Sequence, residues 1–157
     1  MGLVIERLSA SGMLLPEPPV ALGDYLPAVR AWEFVFTAGQ LPLVGGSLLT
    51  TGTVGDEVPV SVAIECARAC ALNALAAAST VCDLDEVAAA VKLVGYVASD
   101  AGFNDQPAVL DGASAVLLAA FGDAGRHARE AVGVTSLPRR APVEVSLVLS
   151  LGSSLRA

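Results

Sequence analysis

Apolar and polar positions alternate with period two near the end of the chain. Val132 and Val134 share one face of a short stretch. After a Leu137-Pro138 turn, Val143, Val145, Leu147 and Leu149 share one face of the next. The pattern predicts two paired strands joined by a short loop. Upstream, Ala63, Cys66, Ala67, Cys70, Ala74, Ala77, Ala78 and Val81 recur at helical spacing and predict a helix over 59–81. Val109, Ala113, Val116, Leu117 and Ala120 predict a second over 106–121, stopped by Gly122 and Gly125. Between them, 87–98 reads as a largely buried strand, with an opening that also suits a helix. The first half is less regular. Residues 2–13 suit a strand or a short helix, and Pro16, Pro18 and Pro19 impose an extended path. Glu33-Phe34-Val35-Phe36-Thr37 has the aromatic and β-branched bias of a hairpin or bent strand over 28–40. Gly45-Gly46 turns between Leu43-Val44 and Ser47-Leu48-Leu49.

Strands, helix, strand, helix and two strands predict one α+β domain over 1–157, with an N-terminal extension at 1–22 and a polar tail at 152–157. Both helices lie on one face of a mainly antiparallel or mixed sheet. Two helices cover only one face. Apolar positions on both sides of the last strand predict that another chain covers the other.

Composition narrows the function. A hydrophobic fraction of 54% with only 16% charged residues fits an ordered core. No stretch reads as long and apolar enough to span a bilayer, and the start lacks a basic segment followed by an apolar one, so a cytoplasmic protein is expected. A net charge of −7 argues against nucleic acid. Arg126, Arg129, Arg139 and Arg140 cluster in sequence, which favours a small anionic ligand over a polynucleotide. Three cysteines make no disulfide framework. Cys66 and Cys70 share a helical face, but with one distant histidine they read as core rather than as metal ligands.

Arg129 and Glu144 stand inside otherwise apolar strands, where an unpaired ion is costly. They belong to a solvated face, an ion pair or a site, and a guanidinium grips a carboxylate bidentately. Tyr25, beside a turn, suits the surface or a pocket wall. Gly39 allows close approach of a ligand or a plain bulge.

Gly23-Asp24-Tyr25, Thr37-Ala38-Gly39-Gln40-Leu41-Pro42, Ala128-Arg129-Glu130-Ala131-Val132-Gly133-Val134, Leu137-Pro138 and Val143-Glu144-Val145 resemble, in order, the motifs of the Rid (YjgF) family, also labelled endoribonuclease L-PSP-like. The longer N-terminus and the 103–107 and 125–129 segments look like a longer bacterial branch of it. The resemblance implies a chorismate-mutase-like fold assembled as a homotrimer, with ligand clefts between subunits and no cofactor or metal. It also implies hydrolytic deamination of small 2-imino or 2-enamino acids to ammonia and a 2-keto acid. By position in the motifs, Arg129 holds the substrate carboxylate, Glu144 activates water and Tyr25 lines the pocket. Gly39, Ala131 and Asp111 fall at substrate-contacting positions. Ala38, Glu130, Ala131 and Asp111 depart from the deaminase pattern, and Glu130 and Asp111 are expected to bring negative charge near Arg129. The alternatives are a non-catalytic carboxylate-binding or regulatory protein with the same cleft, and a ribonuclease. The acidic charge and the lone His127 argue against the ribonuclease.

Overall fold

A computed structural model describes residues 2–20 and 23–152. Most of the polar tail expected at 152–157 lies outside the described residues. The elements in order are α1 (Leu3–Ala10), β1 (Ala28–Ala31), β2 (Phe34–Thr37), β3 (Leu43–Val44), β4 (Ser47–Leu48), α2 (Val60–Ala78), β5 (Val87–Ala98), α3 (Gln106–Phe121), β6 (Ala128–Val134) and β7 (Val143–Leu151). The main sheet runs β1-β2-β7-β5-β6, and β3 and β4 form a small separate hairpin.

The expected pairing of the last two strands is overturned. β6 runs parallel to β5, and β7 is inserted antiparallel between β5 and β2. The reason is the length of what connects them. Parallel neighbours need a crossover of a dozen or more residues, and α3 supplies it between β5 and β6. The short 135–142 connection then carries the chain across β5 to its other edge. Val132 and Val134 accordingly alternate to the uncovered face, where Val132 is 39% exposed.

The ambiguous start forms a helix. Its first two free N–H groups, on Leu3 and Val4, donate to Asp85 Oδ2 and Oδ1 at 2.8 and 2.9 Å, so a distant turn caps it. Val4 and Leu8 anchor it on the core. Pro107 fits the first turn of α3, where no intrahelical N–H bond is lost. α2 and α3 cross at very close range: a Cβ at Gly112 would collide with the Ile64 carbonyl oxygen. The core lies between these helices and the sheet, with Leu75, Leu93, Leu110, Leu117, Leu147 and Leu149 fully buried. Cys66 and Cys70 are part of it.

Contrary to the sequence reading, α2 and the segment Gln106–Gly125 are each long and apolar enough to cross a membrane. Their alanine-rich composition has another explanation here. Each is clamped against the sheet and the other helix, and half or more of each is buried inside the domain.

Candidate functional site

Strand alternation divides the expected site residues between the two faces of the sheet. On β7, Val143, Val145, Leu147 and Leu149 point into the core, so Glu144, Ser146 and Val148 point to the uncovered face. Glu144 is in register with Tyr96 of β5, and Tyr96 with Val132 of β6. Arg129 belongs to another row, with Leu93 and Leu147, both of which face the helices. Arg129 and Glu144 therefore do not pair within one chain.

Glu144 sits at an interruption in the sheet. β2 and β7 pair through Phe36 and Val148, and then the ladder breaks. The Leu147 N–H donates to the Thr37 hydroxyl at 2.9 Å in place of a backbone partner. Pairing resumes between Gln40 and Val145, whose N–H groups donate to each other's carbonyls at 2.8 and 3.0 Å. Ala38 and Gly39 bow out in between, and Gly39 lies so close to Glu144 that a Cβ there would overlap the carboxylate. The missing side chain is what makes room for the acid. Tyr25, Gly39, Gln40, Pro138 and Glu144 line a cleft of about 120 Å³. The Asn73 amide of α2 holds the far wall by donating to the Leu41 and Leu43 carbonyls at 2.9 and 3.0 Å. Half-burial removes water from Glu144 and raises its pKa above the ordinary carboxylate value of 4.5. Tyr25, Gly39 and Glu144 thus come together.

Arg129 gathers a second group. Its Nη1 donates to Asp111 Oδ1 at 2.8 Å and to Ser114 Oγ at 3.1 Å, both on α3. Ala131 shares this face, packed against the core. Asp111 brings negative charge to Arg129, as expected. Glu130 does not: it lies on the uncovered face, paired with Lys92 at 2.6 Å. Ser114, Leu118, Arg126, His127 and Arg129 surround an open depression of about 260 Å³. Among the described residues, no cluster of three metal-ligating side chains occurs. Sequence reasoning missed Gln40, Asn73 and Pro138 as cleft elements, and Ser114 and His127 as neighbours of Arg129. The buried Asn73 on an alanine-rich helix was the one legible hint among them.

The arrangement offers, on one face, a cation whose guanidinium beyond Nη1 has no hydrogen-bond partner among the described residues, and an acid in a cleft on the other. Residues 5–151 match the family described as "YjgF/chorismate mutase-like, putative endoribonuclease". Trypanosoma cruzi protein TCP17 is 38% identical over 156 residues, covering 97% of this chain and 96% of that protein. A Shewanella oneidensis structure with the same endoribonuclease designation is 34% identical, with TM-score 0.90, covering 94% of this chain and 99% of its own. An Agrobacterium tumefaciens structure of unknown function is 36% identical, with TM-score 0.87, covering 96% and 94%. With the whole α+β sheet-and-helix architecture matched from end to end, the chain belongs to the YjgF/chorismate mutase-like family.

Proposed function

We propose that this protein is a hydrolytic deaminase of small 2-imino or 2-enamino acids, working as a homotrimer whose clefts join the Glu144 half of one subunit to the Arg129 half of the next. The observation that carries the reading is Glu144: a half-buried carboxylate with a raised pKa, set in a cleft beside a tyrosine. A base poised nearer neutral pH is better matched to taking a proton from an attacking water. Arg129 keeps guanidinium N–H groups beyond Nη1 for the substrate carboxylate. Tyr25 closes the cleft, and the backbone at Gly39 and Ala131 orients the substrate. Imine hydrolysis is intrinsically easy, so positioning and modest proton transfer suffice.

The uncovered face supports a second copy. Val29, Phe36, Tyr96 and Val132 there are each more than a third exposed, an apolar load that a soluble monomer rarely leaves bare. We place the activity in the cytoplasm, where the free thiols of Cys66, Cys70 and Cys82 stay reduced.

The test is a coupled assay. Added to an amino-acid oxidase or a threonine dehydratase, the protein should speed keto-acid release, and Arg129→Ala should abolish the gain. No acceleration with any imino acid would refute the reading. Light scattering checks the assembly, and a clean monomer would leave the two halves apart. A second reading, a carboxylate-binding protein without turnover, is favoured by the Asp111–Arg129 pair, which opposes anion capture. It predicts thermal stabilisation by small carboxylates with no acceleration.

A further inference from the structure

Three groups beside Arg129 take no part in carboxylate binding or water activation: the Gly125 carbonyl, His127 and Ser114. They are connected in series. His127 Nδ1 lies 2.7 Å from the Gly125 oxygen. A carbonyl can only accept, so Nδ1 carries a proton and Nε2 is the nitrogen left to titrate. Nε2 lies 3.1 Å from Ser114 Oγ, and Oγ accepts from Arg129 Nη1 at 3.1 Å.

Lone-pair counting then gives the hydroxyl two states. With a neutral imidazole, Ser114 donates its proton inward to Nε2. With an imidazolium, Nε2 donates to Oγ. Arg129 and His127 then occupy both oxygen lone pairs, and the serine proton must point elsewhere. Both side chains line the depression beside Arg129, so that direction is available to a bound molecule. The charges that share the depression with the imidazole are Arg129 from β6 and Arg126 from the turn before it, each paired with an acid, Asp111 of α3 and Asp123 respectively. Two cations offset two anions. A carboxylate arriving at Arg129 would tip that balance towards the imidazolium.

We infer that Ser114 and His127 form the proton relay of the Arg129 site, delivering a proton to the nitrogen of a small 2-imino carboxylate. The inference rests on the deaminase reading and supplies what that reading lacks. Glu144 can take the proton that water loses as its oxygen bonds to the imine carbon. The nitrogen must also gain a proton before the C–N bond breaks and ammonia leaves. Ser114 gives its proton to that nitrogen while His127 Nε2–H returns one to Oγ. This gives a neutral carbinolamine, whose hydroxyl proton passes to the nitrogen as the C–N bond breaks, so that ammonia and the 2-keto acid leave. His127 is then neutral and Glu144 protonated, and exchange with solvent resets both. Ser114 touches the substrate, and His127 acts through it.

His127 is the chain's one histidine, so imidazole NMR signals report on it directly. Saturating pyruvate, a stable product analogue, should move those signals at constant pH towards the protonated ring, and signals that do not respond to pyruvate would overturn the relay. In the coupled assay, Ser114→Ala and His127→Gln should each lower the acceleration by about 10²-fold, the low end of general acid–base catalysis. The wild-type rate should fall as rising pH takes the proton from the relay, and His127→Gln should lose that dependence. Ser114→Thr, which keeps the hydroxyl, should retain most of the rate. Circular dichroism establishes that each variant is folded. Wild-type acceleration that survives Ser114→Ala and His127→Gln with an unchanged pH profile overturns the relay and leaves the deaminase reading standing. No wild-type acceleration at all overturns both.

Discussion

Asp111→Asn is the most informative single change for the anion site. The asparagine keeps an oxygen that accepts from Arg129 Nη1, now 2.8 Å away, and removes one negative charge. A carboxylate on the free edge of the guanidinium would lie about 5 Å from that charge, where like charges repel by about 0.8 kcal/mol at the dielectric of water and about 3 kcal/mol at an effective dielectric of about 20. The Asp111 side chain is 68% exposed, so solvent screening selects the low end. About 1 kcal/mol corresponds to about fivefold tighter binding.

The offsetting loss of stability is small, because an exposed pair of this kind contributes about 0–1 kcal/mol. Pyruvate affinity, followed by the histidine NMR signals or by thermal shift, should therefore improve about fivefold with little change in melting temperature. The improvement should shrink as salt is added, because the repulsion being relieved is screened. A folded Asp111→Asn variant whose affinity is unchanged or weaker would refute the reasoning, since Arg129 would then not be the group that holds the anion.

Two further changes probe the cleft. Asn73→Ala removes the amide donor from the Leu43 carbonyl and leaves the Leu41 carbonyl with only the Leu43 N–H at 2.8 Å, and should cost about 1–3 kcal/mol in chemical unfolding; a loss under about 0.5 kcal/mol would mean that α2 does not hold this wall. Glu144→Gln tests the raised pKa through linkage. The folded protein binds more protons than the unfolded chain between 4.5 and the higher folded value, so stability falls as pH rises through that window. The variant should lose that slope and be the more stable protein above it, in unfolding series from about pH 4 to about pH 8; identical slopes would show that burial does not penalise the ionised acid.

How far the chain could be read in advance follows from where the information lay. α2, β5 and α3 carry long runs at one period, and their limits in the structure agree closely with the pattern. Strand neighbours carry no such local signal. Two alternating segments joined by a short connection look like a hairpin, and only the spatial return of α3 puts β5 between them. The site behaves in the same way. Motif order picked out Tyr25, Gly39 and Glu144, and the structure gathers them in one cleft. Glu130 departs from the sequence expectation because successive strand residues face opposite ways, so its adjacency to Arg129 in sequence is not adjacency in space. The link of His127 to Ser114 is not legible in the sequence because it runs from α3 to the residue before β6, a contact with no sequence spacing to mark it.

Parity explains why Arg129 and Glu144 cannot meet within one chain. Register places Glu144 opposite Tyr96, and Tyr96 opposite Val132. From Val132 back to Arg129 is an odd number of steps along β6, so the two charges fall on opposite faces. Slipping β6 by one residue against β5 would bring them to the same face, at the cost of turning Ala131 out of its core packing and Val132 into it. Slipping β7 instead would expose Val143, Val145, Leu147 and Leu149 together. Neither is tolerable for a strand buried on one face. A chemistry that needs both charges on one substrate therefore requires two chains, with the helix-side edge of one against the uncovered face of another. Association of at least two chains is in this sense a requirement of the proposed reaction rather than a separate assumption. A variant that stays folded but dissociates, such as one with a charge at Val132 or Phe36 on the uncovered face, should lose the deaminase activity while keeping Arg129, Ser114 and His127 intact.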